Sequence, residues 1–178
     1  MFGIDEILGL PLHALVVHFA VILVPLAVLA LISTCWRPEW RKHYVLPIAL
    51  VAVGGAAFTF VAAQSGGALK HQIEREARAS GQVQVGSVRS EDGLLGDHPQ
   101  DGNIAEVTSI AFAGAASMLF GLEMWGARVN ATDFHVKAVY LLGCGLGVFA
   151  LISIAAAGHS GAALVWKDLG NFVHPSGA

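Results

Sequence analysis

Four long apolar runs, separated by shorter polar stretches, dominate the pattern of the chain. They extend from Leu10 to Ile32, Val45 to Gln64, Ile104 to Leu122 and Ala138 to Gly158. Each approaches or exceeds the roughly 20 predominantly apolar residues that an α-helix needs to cross a hydrocarbon core. None carries Lys, Arg or Asp in its middle, and Glu106 and Glu123 lie near the ends of the third, where a carboxylate reaches water. The pattern predicts an all-α integral membrane four-helix bundle forming one transmembrane domain. A long loop, 65–103, joins helices two and three, and a tail, 159–178, follows helix four. Within the tail, Leu164, Val165, Trp166, Leu169 and Phe172 recur at roughly helical spacing beside Lys167 and Asp168. That predicts a short interfacial segment lying along the membrane surface and covering His159.

Composition agrees with the pattern. Hydrophobic residues make up 55% of the chain and charged residues 13%, about half the charged share of a soluble domain. The mean hydropathy is +0.64. The net charge of −3 offers no surface for nucleic acid. The residues before the first run include Asp5 and Glu6 but no Lys or Arg, so the run reads as a retained helix rather than a cleaved signal.

Charge also orients the bundle. Arg37, Arg41 and Lys42 fall between helices one and two, and Arg128 and Lys137 between helices three and four. By the positive-inside rule both links are cytoplasmic. Trp36, Trp40 and Trp125 occupy the positions of an aromatic belt. The longer loop balances Lys70, Arg75, Arg78 and Arg89 with six carboxylates. It is therefore placed outside together with both termini.

This topology sorts the eight histidines. His43 and His135 fall in the cytoplasmic links, whereas His13, His18, His71, His98, His159 and His174 lie in the outer half or beyond it. Imidazole ligates haem iron, zinc and copper, and its neutral form enters lipid more readily than other good ligands. His174 in the polar tail, His71 beside Lys70 and His13 at the start of helix one also have plain interfacial readings. His18 stands about two turns inside the membrane, where an unpartnered polar group costs several kcal/mol. Its partner is a helix carbonyl, another side chain or a metal. His13 and His18 diverge by about 140° around a helix, so a site built on His18 draws its second ligand from another helix: His98 in Asp97-His98-Pro99, or His159 in Gly158-His159-Ser160-Gly161. Pro99 suits the first turn of helix three. Pro25 bends helix one, and the small residues of helices two, three and four permit close packing or a cofactor.

Other chemistries lack their residues. The chain has no Cys-x-x-Cys-His for covalent haem and no Cys-x-x-Cys pair, and with Cys35 at the cytoplasmic end of helix one and Cys144 inside helix four no structural disulfide is expected. Three methionines and two cysteines make a poor copper(I) path. Phosphate loops, the His-Glu-x-x-His pattern and hydrolase triads are missing.

Leu10-Pro11-Leu12-His13-Ala14-Leu15-Val16-Val17-His18, Val24-Pro25-Leu26-Ala27, Ser65-Gly66-Gly67-Ala68-Leu69, His98 before Gly102, and Gly158-His159-Ser160-Gly161-Ala162 with Val165-Trp166 span most of the chain. Together they resemble the bacterial membrane family called domain of unknown function 2231, in its actinobacterial form. The resemblance implies a four-helix fold in the bacterial cytoplasmic membrane and points to His13, His18, His98 and His159. Relatives joined to Rieske or cytochrome c domains imply electron transfer at the outer face. The expectation is a b-type haem or a zinc or copper centre held by these histidines, exchanging electrons with a quinone or a redox partner protein. The alternative is an accessory subunit of a larger membrane complex that binds no cofactor.

Overall fold

The computed structural model describes residues 6–7, 10–79, 97–125 and 132–173. A minimal antiparallel hairpin, β1 (Glu6–Ile7) and β2 (Leu10–Pro11), leads into four helices. These are α1 (Leu12–Ser33), α2 (Arg41–Ala79), α3 (His98–Trp125) and α4 (Asp133–Val173), with one 3₁₀ turn at Pro38–Trp40. Each helix contains a stretch long and apolar enough to cross a membrane: Leu12–Ser33, Pro38–Ala68, His98–Trp125 and Asp133–Ala163. The helices form an antiparallel bundle in which α1 packs on α2, α2 on α3 and α3 on α4, while α1 and α4 meet less closely.

Local chemistry sets the helix ends. At the end of α1 the hydroxyls of Ser33 and Thr34 donate to Ala30 and Leu31 carbonyls at 2.7 Å each. The amides of Thr34 and Cys35 bond Leu31 and Ile32 at 3.1 and 2.9 Å, tightening the last turn. These bonds satisfy carbonyls that a helix terminus leaves open. Asp97 opens α3, its carbonyl accepting the Asp101 amide at 2.9 Å, with Pro99 in the first turn where a missing N–H costs nothing. Ahead of α4, the Thr132 amide donates to His135 Nδ1 at 3.1 Å.

The core is small and tight. Val24, Val28 and Leu31 of α1 meet Ile48 and Ala52 of α2, Phe112 and Leu119 of α3, and Ala150 and Ile154 of α4. Phe112, the largest fully buried side chain, sits against Gly147, where a Cβ would lie 3.1 Å from its ring. The outward faces are equally apolar, with Val107 66% and Leu141 70% exposed. Helices that are apolar all round belong in lipid.

Two expectations about extent change. Helices α2 and α4 do not stop at Gln64 and Gly158 but continue to Ala79 and Val173. The interval read as a loop from 65 to 103 is thus helical at both ends, and its centre, with Gln84, lies outside the described residues. The tail expected as a separate interfacial segment is instead the last turns of α4; His174 lies outside the described residues. Apolar length measures what lipid covers, whereas Lys70 to Ala79 is rich in Glu, Arg and Ala, strong helix formers that propagate α2 into water. At 1.5 Å per residue both long helices reach about 60 Å, against a hydrocarbon core of about 30 Å.

Candidate functional site

The bundle brings His13 and His98 together. Each stands in the first turn of its helix, α1 and α3, and the ring centres lie 6.1 Å apart with planes at 78°. Each ring is anchored to the other helix of its own hairpin. His13 Nδ1 lies 2.8 Å from the Ala62 carbonyl and 3.4 Å from the Ser65 hydroxyl on α2. His98 Nδ1 lies 3.1 Å from the Ala157 carbonyl and 3.3 Å from the Ser160 hydroxyl on α4. Ser65 and Ser160 donate to those same carbonyls at 3.0 and 3.2 Å.

A carbonyl can only accept, so each Nδ1 carries the proton and donates it. The neutral ring then keeps a lone pair on Nε2. A backbone carbonyl that fixes Nδ1–H and leaves Nε2 free is a common outer partner of a metal-ligating histidine.

Glycine makes room for both rings. A Cβ on Gly66 would lie 2.9 Å from His13 Cε1, and one on Gly161 2.8 Å from His98 Cε1. The anchors are copies of one motif: Ala62-x-x-Ser65-Gly66-x-Ala68-Leu69 on α2 and Ala157-x-x-Ser160-Gly161-x-Ala163-Leu164 on α4. The step that carries His13 onto His98 also carries the buried Ala20, Ala27, Val28 and Leu31 onto the buried Ala105, Phe112, Ala113 and Ala116. The α1–α2 hairpin and the α3–α4 hairpin therefore repeat one unit, and the histidine pair forms where the two units meet. Ser65, Gly66, Ser160, Gly161 and the carbonyls of Ala62 and Ala157 were not singled out as site groups from sequence. The doubled Ala-x-x-Ser-Gly-x-Ala-Leu motif was the signal for them.

The other two candidates face outward. His18 is exposed on α1 and bonds the Ala14 carbonyl of its own helix through Nδ1. This corrects its placement inside the bundle: the core-facing positions Val16, Ala20, Val24, Ala27 and Leu31 run in phase with His13, not with His18. His159 is exposed on α4, while its neighbours Ser160 and Gly161 hold His98. Among the described residues no group of three or more His, Cys, Asp or Glu side chains is placed to hold a metal ion.

A second polar cluster closes the opposite end of the bundle. Tyr140 Oη donates to the Leu31 carbonyl at 2.9 Å and lies 2.9 Å from Thr34 Oγ1 and 3.2 Å from Cys35 Sγ. The Arg41 guanidinium rests 5.2 Å over the Tyr140 ring. These contacts fasten α1 and α2 to α4. Tyr140→Phe is expected to cost about 0.6–1.7 kcal/mol, the range measured for hydrogen bonds between membrane helices. Equilibrium unfolding in mixed micelles checks it, and Thr34→Val should add little in the Tyr140→Phe background because the two share one network.

Four membrane-crossing helices, with paired histidines at one end and a tyrosine clasp at the other, make the chain a polytopic membrane protein. It belongs to the family described as predicted membrane protein, DUF2231, whose model matches residues 9–172. No curated protein and no solved structure matches it.

Proposed function

We infer that the protein is an electron carrier of the bacterial cytoplasmic membrane, with a b-type haem held by Nε2 of His13 and His98. The observation that carries this reading is the imidazole pair in edge arrangement, 6.1 Å between centres, with both Nδ1 atoms tied to carbonyls. Two imidazoles on one metal, each with a bond of about 2 Å plus its half-ring, stand about 6 Å apart. Two protein ligands complete haem iron, whereas zinc sites take three or four. The donor set therefore fits haem better than zinc. The apolar residues around the pair would set the potential, and the haem when bound would supply one-electron chemistry. The protein's share is to hold both rings in one tautomer and to keep the pair at the bundle mouth. There a quinone in the membrane and an external redox protein both have access.

The test is a visible spectrum with metal analysis of protein extracted from its native membrane. Sharp bands on reduction and one iron per chain support the reading. A featureless spectrum and no bound metal leave the accessory-subunit reading in front. One observation favours that second reading: His18 presents an imidazole to the lipid-facing side, as a residue waiting for a neighbouring protein would.

Orientation belongs to the same proposal. The basic links support a topology with the tyrosine end inside and the histidine end and both termini outside. A reporter fused after Arg128 should read cytoplasmic and one near Gln84 external; a cytoplasmic Gln84 reporter would turn the histidine pair inward.

A further inference from the structure

At the tyrosine end, α1 and α2 diverge enough to leave a lipid-facing groove of about 250 Å³. Leu26, Ala27 and Ala30 of α1, Trp40 of the 3₁₀ turn, and Tyr44 and Val51 of α2 wall it. The alanines supply the depth. The aromatic residues mark the level: Trp36 is 78% exposed, and Trp40 and Tyr44 are also exposed, in edge contact 5.9 Å apart. Exposed aromatics of this kind settle at the headgroup boundary. The groove therefore starts at headgroup depth and runs inward among acyl chains.

Its mouth is cationic. The Arg37 guanidinium lies 5.6 Å over the ring of Trp40, one of the groove walls. Glu39 is the single carboxylate among residues 34–44. An apolar slot ending under a cation is complementary to one acyl chain ending in a negative headgroup.

We propose that this groove is a binding site for a single anionic phospholipid. One acyl chain lies between Ala30 and Val51, and its phosphate is held by Arg37. A quinone suits the groove less well. The lining hydroxyls of Ser33 and Thr34 are already committed to carbonyls of their own helix, which leaves them poor donors to a quinone ring. The site is independent of the histidine pair, which lies at the far end of the bundle.

Native mass spectrometry of the full chain tests it, with dioleoyl phosphatidylglycerol and dioleoyl phosphatidylcholine as probes. The wild type is expected to retain one phosphatidylglycerol in preference to phosphatidylcholine. Arg37→Gln should weaken phosphatidylglycerol retention about fivefold and erase the preference, since a near-surface cation contributes to holding an anionic lipid. Lys137→Gln, a cation of the other link at the same end, should leave it unchanged. Ala30→Phe, which fills the slot, should reduce retention of both lipids; if it does not fold, Leu26→Trp gives the same reading from the rim. Equal retention of the two lipids by the wild type overturns the proposal. So does unchanged phosphatidylglycerol retention after the groove is filled, or uptake of a short-chain quinone in place of lipid.

Discussion

On the proposed ligation by His13 and His98, replacing either with alanine is expected to abolish the reduced-haem bands, while His18→Ala and His159→Ala leave them in place. An iron with one imidazole removed loses the low-spin bis-histidine spectrum, so each single change should act like the double change rather than as half of it. Insertion should survive, because it depends on apolar length and loop charge. The outward pair makes the experiment decisive, since His18 bonds only the Ala14 carbonyl of its own turn and His159 is exposed. Retained bands in His13→Ala, or their loss in His18→Ala, would remove the proposed pair. Metal analysis of the same four variants separates lost ligation from altered spin state.

The second large effect lies in the glycines behind the rings. Gly66→Leu and Gly161→Leu should each destabilise the bundle by about 1–3 kcal/mol, the usual cost of overpacking a well-filled site. A Cβ there already falls 2.9 or 2.8 Å from a histidine ring that a hydrogen bond holds in place. Displacing the ring also breaks its bond to Ala62 or Ala157, so ligand retention should fall with stability. Gly67 and Gly158 are the controls, because a Cβ on either meets nothing within 4 Å. Alanine at those two positions should be neutral or slightly stabilising, by up to about 1 kcal/mol, through the backbone entropy that glycine loses in a helix. Chemical unfolding in micelles reads all four. Equal losses at Gly66 and Gly67 would show that the glycines serve helix packing generally and not the rings.

The four spans were legible because lipid imposes one requirement, length of apolar run, that a sequence displays directly. Helix extent was less so. Nothing in hydropathy separates Lys70 to Ala79 as loop from the same residues as helix, and only their propensity argues for the latter. The site was half legible. His98 and its Pro99 mark the mouth of α3 and the family resemblance points to His13, but the residues alone give His13 a plain interfacial reading and single out His18 by its depth. Depth is a property of position along the axis, whereas partnership depends on rotation about it. A helix apolar on every side carries no stripe to reveal that rotation. The phase was present in the small residue Ala20 and in Val24 and Ala27, which share His13's face. The duplicated Ala-x-x-Ser-Gly motif was present too, but it becomes a pair of ring seats only when the hairpins are set side by side.

The continuation of α2 and α4 past their histidine anchors has a consequence for any visitor from the aqueous side. Beyond Ser65 and Ser160 the two helices run on for 13 or 14 residues, to Ala79 and Val173, so each rises about 20 Å as a post. The shorter α1 and α3 begin at the foot of these posts, with His13 and His98 in their first turns. On the proposed function, a partner reaching the imidazole pair would approach alongside two helices that stand about 20 Å beyond it, so their height would bear on the shape of that partner before any contact with the pair is made.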